Sequence, residues 1–201
     1  MRVLAGVTLA TVLLTSQATD APRVNKADGD RFQTKLARIV QIGNTPRGKT
    51  KSAAAQTTQV SDKEVNAYLR FHAQEQIPVG VLEPSLQALG NGRVSGRAIV
   101  DLDAVRKAKQ RGWLDPMGYL TGRLPVTARG RLTTQNGTGR FVLEGAEVSG
   151  VSVPKVFLQE LLSFYSRTPE DPDGINMDEP FQLPAQIREI RVAAGSATIV
   201  Q

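Results

Sequence analysis

Few residues of this chain have types and spacing that could do chemistry: one histidine, His72, and two aspartates set two apart, Asp101 and Asp103. A histidine works as a general base only when another group orients it and a nucleophile lies within reach. His72 falls on the apolar side of a helix with Val65, Tyr68, Leu69 and Ala73, so the expected role is a packed, hydrogen-bonded histidine. On a strand or its end, Asp101 and Asp103 would share one side, but a catalytic pair also needs a cleft that drives two pKa values apart. HExxH, GxSxG and Gly-rich phosphate loops are missing, and a lone histidine cannot support most zinc sites. With no cysteine, disulfides, thiolate metal sites, cysteine nucleophiles and a lipidated cysteine are excluded. The loop 168–180 (TPEDPDGINMDEP) collects Glu170, Asp171, Asp173, Asp178 and Glu179, yet its glycine follows Asp173 directly, so the EF-hand order fails. The expectation is a non-enzymatic protein with no cofactor and no metal.

Recognition remains. Arg106, Lys107, Lys109 and Arg111 cluster just before Trp113, the combination used to contact anionic headgroups, since an indole ring prefers the interfacial zone. Trp113 as a core plug is the competing reading. Apolar contact is expected from the stretch PKVFLQELLSFYSR, where Phe157, Leu158, Leu161, Leu162, Phe164 and Tyr165 fill an arc of about 160°, wider than the usual stripe of about 100°. Such a helix asks to be enclosed. Leu69, Phe157, Leu158, Leu161, Leu162 and Tyr165 form the expected lipid-contacting set, although a fully packed core makes the same pattern.

The elements that must position these residues are legible in part. Phe32, Leu36, Ile39 and Val40 are spaced for a helix over 31–42 after Asp30 as cap, either docked on the domain or lying on a membrane. Residues 43–59 lack an apolar period and are expected to be a flexible linker. Ser61 and Glu64 form a capping box that starts the next helix, and Pro78 is expected to stop it. A hairpin turns at Gly90-Asn91-Gly92. Its second arm alternates Val94, Gly96, Ala98, Val100 and Leu102 with Arg93, Ser95, Arg97, Ile99 and Asp101. A short helix is expected over 103–111. A second hairpin turns at Asn136-Gly137, alternating Leu124, Val126, Ala128 and Leu132 with Arg123, Thr127, Arg129, Arg131 and Thr133, and Arg140 is expected to join that polar face. Short strands near 181–183, 187–192 and 196–200 close the chain.

With 201 residues, the chain suits one domain with a real core. Arg2, the apolar run Val3–Leu14 and Ser16-Gln17-Ala18 have the layout of an export signal, 1–18, and the run is too short for the roughly 20 residues that span a bilayer. The protein is expected in the periplasm or outside the cell. There the 25 Lys and Arg against 19 Asp and Glu point to lipid headgroups or envelope polymers rather than to nucleic acid. The expected organisation is a signal at 1–18, an N-terminal segment at 19–59 and one domain at 60–201.

The succession VSDKEVNAYL, LEPSLQALGNGRVSGRAIVDLD, VSGVSVPKVFLQELLSFYSR and FQLPAQIREIRVAAGSATIV resembles exported bacterial proteins of unassigned function. These are similar to tubular lipid-binding (TULIP-like) domains, among them the lipomannan elongation factor family and YceB-type envelope lipoproteins. The resemblance covers residues 60–201 and lacks the lipidated cysteine of the YceB type. It implies an α+β fold, a strongly curved antiparallel sheet wrapped around one or two amphipathic helices, with a groove for acyl chains and no catalytic residue. Two functions stay open: a protein holding a phospholipid or other apolar ligand, or an envelope interaction and scaffolding protein with a basic, anion-contacting surface.

Overall fold

The computed structural model describes residues 24–45, 55–108, 121–169 and 171–201. The expected signal 1–18, linker residues 46–54, Lys109, Arg111, Trp113 and Glu170 lie outside the described residues, as do the side chains of Phe164 and Tyr165. The chain is α+β and its strands pair antiparallel throughout the described sheets.

Helix α1 spans Lys26–Asn44. It starts earlier than expected because Asn25, not Asp30, is the cap: the Asn25 side-chain oxygen accepts the Asp28 N–H at 2.9 Å. Its apolar stripe docks on α2 (Asp62–Phe71), with Ile39 buried and the Phe32 ring edge-on to Tyr68 at 5.2 Å. Gly29 lets the two helices meet, since a Cβ there would lie 3.1 Å from the Ala67 carbonyl oxygen. The expected linker is partly wrong. Asn44 is still helical and β1 (Thr57–Ser61) is a strand, because 57–61 find a partner in β9 at the far end of the chain.

The Ser61–Glu64 capping box is present: Ser61 Oγ accepts the Glu64 N–H at 3.3 Å and Glu64 Oε2 accepts the Ser61 N–H at 3.0 Å. Helix α2 ends at Phe71, well short of Pro78, with His72 as its C-cap. Strands β2 (Val81–Gly90) and β3 (Arg93–Asp101) make the first hairpin, and helix α3 (Leu102–Ala108) follows. Strands β4 (Arg123–Gln135) and β5 (Thr138–Val148) make the second, then come β6 (Val151–Ser152), α4 (Lys155–Ser166), β7 (Phe181–Gln182), β8 (Glu189–Ala193) and β9 (Ser196–Val200). Both turns carry positive φ at both central residues, Asn91-Gly92 and Asn136-Gly137, the conformation that makes Asn-Gly the favoured pair there.

One sheet was expected, and the strands form two: β1-β9-β8, and a larger sheet in the order β2-β3-β4-β5-β6 with β7 also on β5. The small sheet seats on the hairpin turns of the large one. Gly92 and Gly137 donate to the carbonyls of Val192 and Arg188 at 3.3 and 3.0 Å, and the Thr134 hydroxyl bonds both polar groups of the Ile190 backbone. Helices flank the large sheet at opposite margins, α2 packing on β2 and α4 on β5.

Helix α2 also closes the open edge of β2. Asn66 donates to the Leu86 carbonyl at 2.8 Å and accepts its N–H at 2.7 Å, while the Asp62 carboxylate accepts the Ala88 N–H at 3.0 Å. Spacing of i and i+4 puts both side chains on one face of the helix, and unpaired edge groups would otherwise invite another strand. Asn66→Ala is expected to cost about 1 kcal/mol. Combined with Asp62→Ala it should bring concentration-dependent association, readable by light scattering.

Candidate functional site

The residues that could have been catalytic are occupied elsewhere. His72 sits between α1 and α2, its Nε2 2.7 Å from Asp30 Oδ1 but off the line of a hydrogen bond, and its ring centroid 5.9 Å from that of Tyr68. The ring is packed as expected, but the hydrogen bond expected of it is not made at Nε2. Asp101 accepts the Ala104 N–H at 2.9 Å, starting α3, and pairs with Arg123 Nε at 3.0 Å. The Ala104 N–H, then Arg123, hold its carboxyl below the usual range, the opposite of what a general acid needs. Asp103 pairs with Arg106 and accepts the Gly122 N–H at 3.0 Å. The acidic loop folds back on α4, with Lys155 paired to Asp178 and the Gln159 side chain bonded to the Ile175 carbonyl and the Met177 N–H. Among the described residues no group of three or more His, Asp or Glu could hold a metal ion.

The apolar surfaces are the distinctive feature. Register places Leu86 beside Gly96 and Ala128, Ala98 beside Val126 and Val148, and Val100 beside Leu124, all on one face. Val94, Gly130 and Leu143 continue it, then Leu132 and Phe141. The opposite face carries Arg93, Arg97, Arg123, Arg129, Arg131 and Arg140, all exposed. Along the apolar face only Gly130 and Ala146 are buried; the other residues stay partly exposed, Leu86 at 46%. Sheet faces of this composition are ordinarily covered by another layer. Among the described helices α2 lies at the β2 edge, α4 beside β5, and the short α3 touches β3 and β4.

Helix α4 is equally unsatisfied. None of its described side chains is buried, Val156 is 71% and Phe157 42% exposed, and Leu158, Leu161 and Leu162 are half-buried. The expected enclosure fails because α4 meets the large sheet mainly at β5, near one side of it. Leu162 faces a recess of about 830 Å³ shared with Phe141 and Phe181. The expected lipid-contacting set is therefore divided. Leu69 belongs to a different groove of about 740 Å³, with Ile77, Val79, Leu82 and Pro84, at the α2 end of the sheet. Of the expected anion contacts, Arg106 is held by Asp103 and Lys107 is exposed.

The sheet residues Leu124, Val126 and Ala128 join the candidates beyond the expected set; alternation marks them as a dry face, on which the small residues Gly96 and Ala98 suit either close packing or room for a ligand.

No family model matches the chain, and no curated protein does. Among solved structures, the crystal structure of lipopolysaccharide binding protein superposes on 78% of this chain and 46% of that chain, at 14% identity and a TM-score of 0.22. The chain thus spans less than half of that structure. So loose a superposition carries no argument about ligand, partner or activity.

Proposed function

We propose that this is an exported, non-enzymatic protein that holds an acyl chain or a similar apolar ligand between α4 and the apolar face of the β2–β5 sheet. The supporting observation is that two apolar surfaces, Val94–Val100 with Leu124–Ala128 on the sheet and Phe157–Leu162 on α4, both stay partly exposed, with α4 meeting the sheet at β5. Contiguous apolar surface left open marks an interaction site. Val94 to Val100 extends about 20 Å at the usual rise per strand residue. That suits one acyl chain, which occupies about 15 Å, half of a bilayer's hydrocarbon core. Export rests on the segment 1–18; among the described residues no helix is long and apolar enough to cross a membrane.

Solvent extraction of the purified full-length protein, followed by lipid analysis, is expected to release acyl lipid in near-stoichiometric amount. The stripped protein should take up a fluorescent fatty acid saturably. Empty protein that takes up nothing would sink the proposal.

A second reading, an envelope scaffold, draws on the arginine face: six guanidinium groups against Asp101, Glu144 and Glu147. It requires binding to vesicles containing phosphatidylglycerol to fall steeply with salt. Salt-insensitive or absent binding would count against it.

A further inference from the structure

The polar face of the large sheet carries a separate recess. Antiparallel register sets Ser85, Arg97 and Thr127 in one row across β2, β3 and β4, and Gln87 and Ser95 in the next. With Lys63 from the first turn of α2 and Gly195 between β8 and β9, they line a cavity of about 560 Å³. Ser85, Ser95 and Thr127 are partly buried, and none of their hydroxyls has a partner among the described residues. The Arg97 guanidinium likewise has no acidic partner there, as is true of Arg93 and Arg140 elsewhere on the face, whereas Arg123, Arg129 and Arg131 are held by Asp101, Glu147 and Glu144; Arg97 is the arginine that lines the recess. The one carboxylate at the rim, Asp62, accepts the Ala88 N–H with both oxygens, at 3.1 and 3.0 Å, and keeps its charge. Lys63 stands 3.1 Å from Asp28 and brings its charge already partly matched.

We infer that this recess binds a phosphate-type oxyanion, with Arg97 as the charge anchor and Ser85, Ser95 and Thr127 as hydroxyl donors. A guanidinium presents a fork of N–H donors to two oxygens at once, and each hydroxyl adds one donor. A tetrahedral oxyanion has acceptors enough for all of them, while a carboxylate offers two oxygens. Water hydrates the hydroxyls and the exposed guanidinium one at a time, whereas a single oxyanion would engage them together. Because α2, three strands and the β8–β9 turn each supply part of the wall, the donors are placed before any ligand arrives, which saves ordering cost on binding. The recess shares Val24, Asn66 and Ser85 with the apolar groove around Leu69, so the phosphate is either free or the head of an amphiphile. On β3 and β4 this site lies on the opposite face from the proposed acyl groove; of the apolar set only Leu86, on β2, also lines it, and its test does not depend on that groove.

Calorimetric titration of the full chain with inorganic phosphate, and separately with lysophosphatidate below its micelle concentration, tests the inference. Saturable binding of at least one probe is expected, with Arg97→Gln weakening it roughly tenfold or more and Thr127→Val several-fold. Arg131→Gln, which changes charge on the same face outside the recess, should leave affinity unchanged. Phosphate binding as tightly as the amphiphile identifies a free oxyanion; a lysophosphatidate advantage that Leu69→Asp removes identifies a headgroup. Arg97 is exposed, so its variant should melt with the parent protein. Equal losses in Arg97→Gln and Arg131→Gln, or no binding of either probe, would overturn the inference.

Discussion

Glu64→Ala is expected to lower the unfolding free energy by about 2–3 kcal/mol, from a lost cap contact and a broken, largely buried ion pair. Glu64 is 7% exposed and does two things at once. It closes the capping box with Ser61, and its carboxylate receives Lys35 Nζ from α1 at 2.7 and 2.8 Å. Lys35 also reaches the Gln59 carbonyl in β1 at 2.8 Å, so one carboxylate ties α1, β1 and α2 together. Glu64→Gln keeps a side chain able to complete the capping box and removes only the charge, so it should cost about half as much, about 1–1.5 kcal/mol.

Acid should reproduce the charge loss. Burial works to raise the Glu64 pKa, but hydrogen bonds from Lys35 and the Ser61 N–H, with the attraction of Lys35, outweigh it and bring it below the ordinary 4.5. A carboxyl whose folded-state pKa lies below its unfolded value contributes fully above the unfolded value and loses that contribution as pH falls through the folded one. The gap in urea midpoint between wild type and Glu64→Gln is therefore expected to be widest at neutral pH and to close as pH falls through the lowered Glu64 pKa, below 4.5. A gap independent of pH would mean that the ion pair contributes nothing.

Val126→Glu is expected to abolish acyl uptake, by about 100-fold or more, because a carboxylate pressed beneath a hydrocarbon chain loses its water and gains no partner. Val126 lies mid-sheet, in register with Ala98 on one side and Val148 on the other. It is only half-buried, so the folded protein itself should lose little, about 1 kcal/mol or less. Thr133→Glu, on the exposed polar face of the same strand, serves as the control and should take up ligand normally. Fluorescent fatty-acid titration separates the two; a Val126→Glu protein that binds as the parent does would remove this face from the site.

Particular residues show how far the linear pattern reached. Ser61 with Glu64 announced the start of α2, and Asn91-Gly92 and Asn136-Gly137 announced both turns, with the backbone signs their types demand. Alternation along β3 and β4 assigned Val94, Ala98, Leu124 and Val126 to one face and the arginines to the other, as found. Asn25 was missed as the α1 cap because Asp30 offered an equally good local one. Thr57–Ser61 was missed as a strand because its partner lies at 196–200, and no property of TTQVS by itself reports that.

The candidate sites divide the same way. The apolar spacing of α4 was readable from the sequence alone. That Leu69 belongs elsewhere, that α4 meets the sheet mainly at β5, and that Arg97 meets Ser85 and Thr127 were not readable. Caps, tight turns and face alternation are settled by sterics and hydrogen bonds within a few residues, so the order of types along the chain suffices for them. Sheet order, register and the side on which a helix lands depend on competition among pairings tens of residues apart. Those contacts decided which apolar surfaces stayed partly exposed and which arginine came to line a recess with hydroxyls.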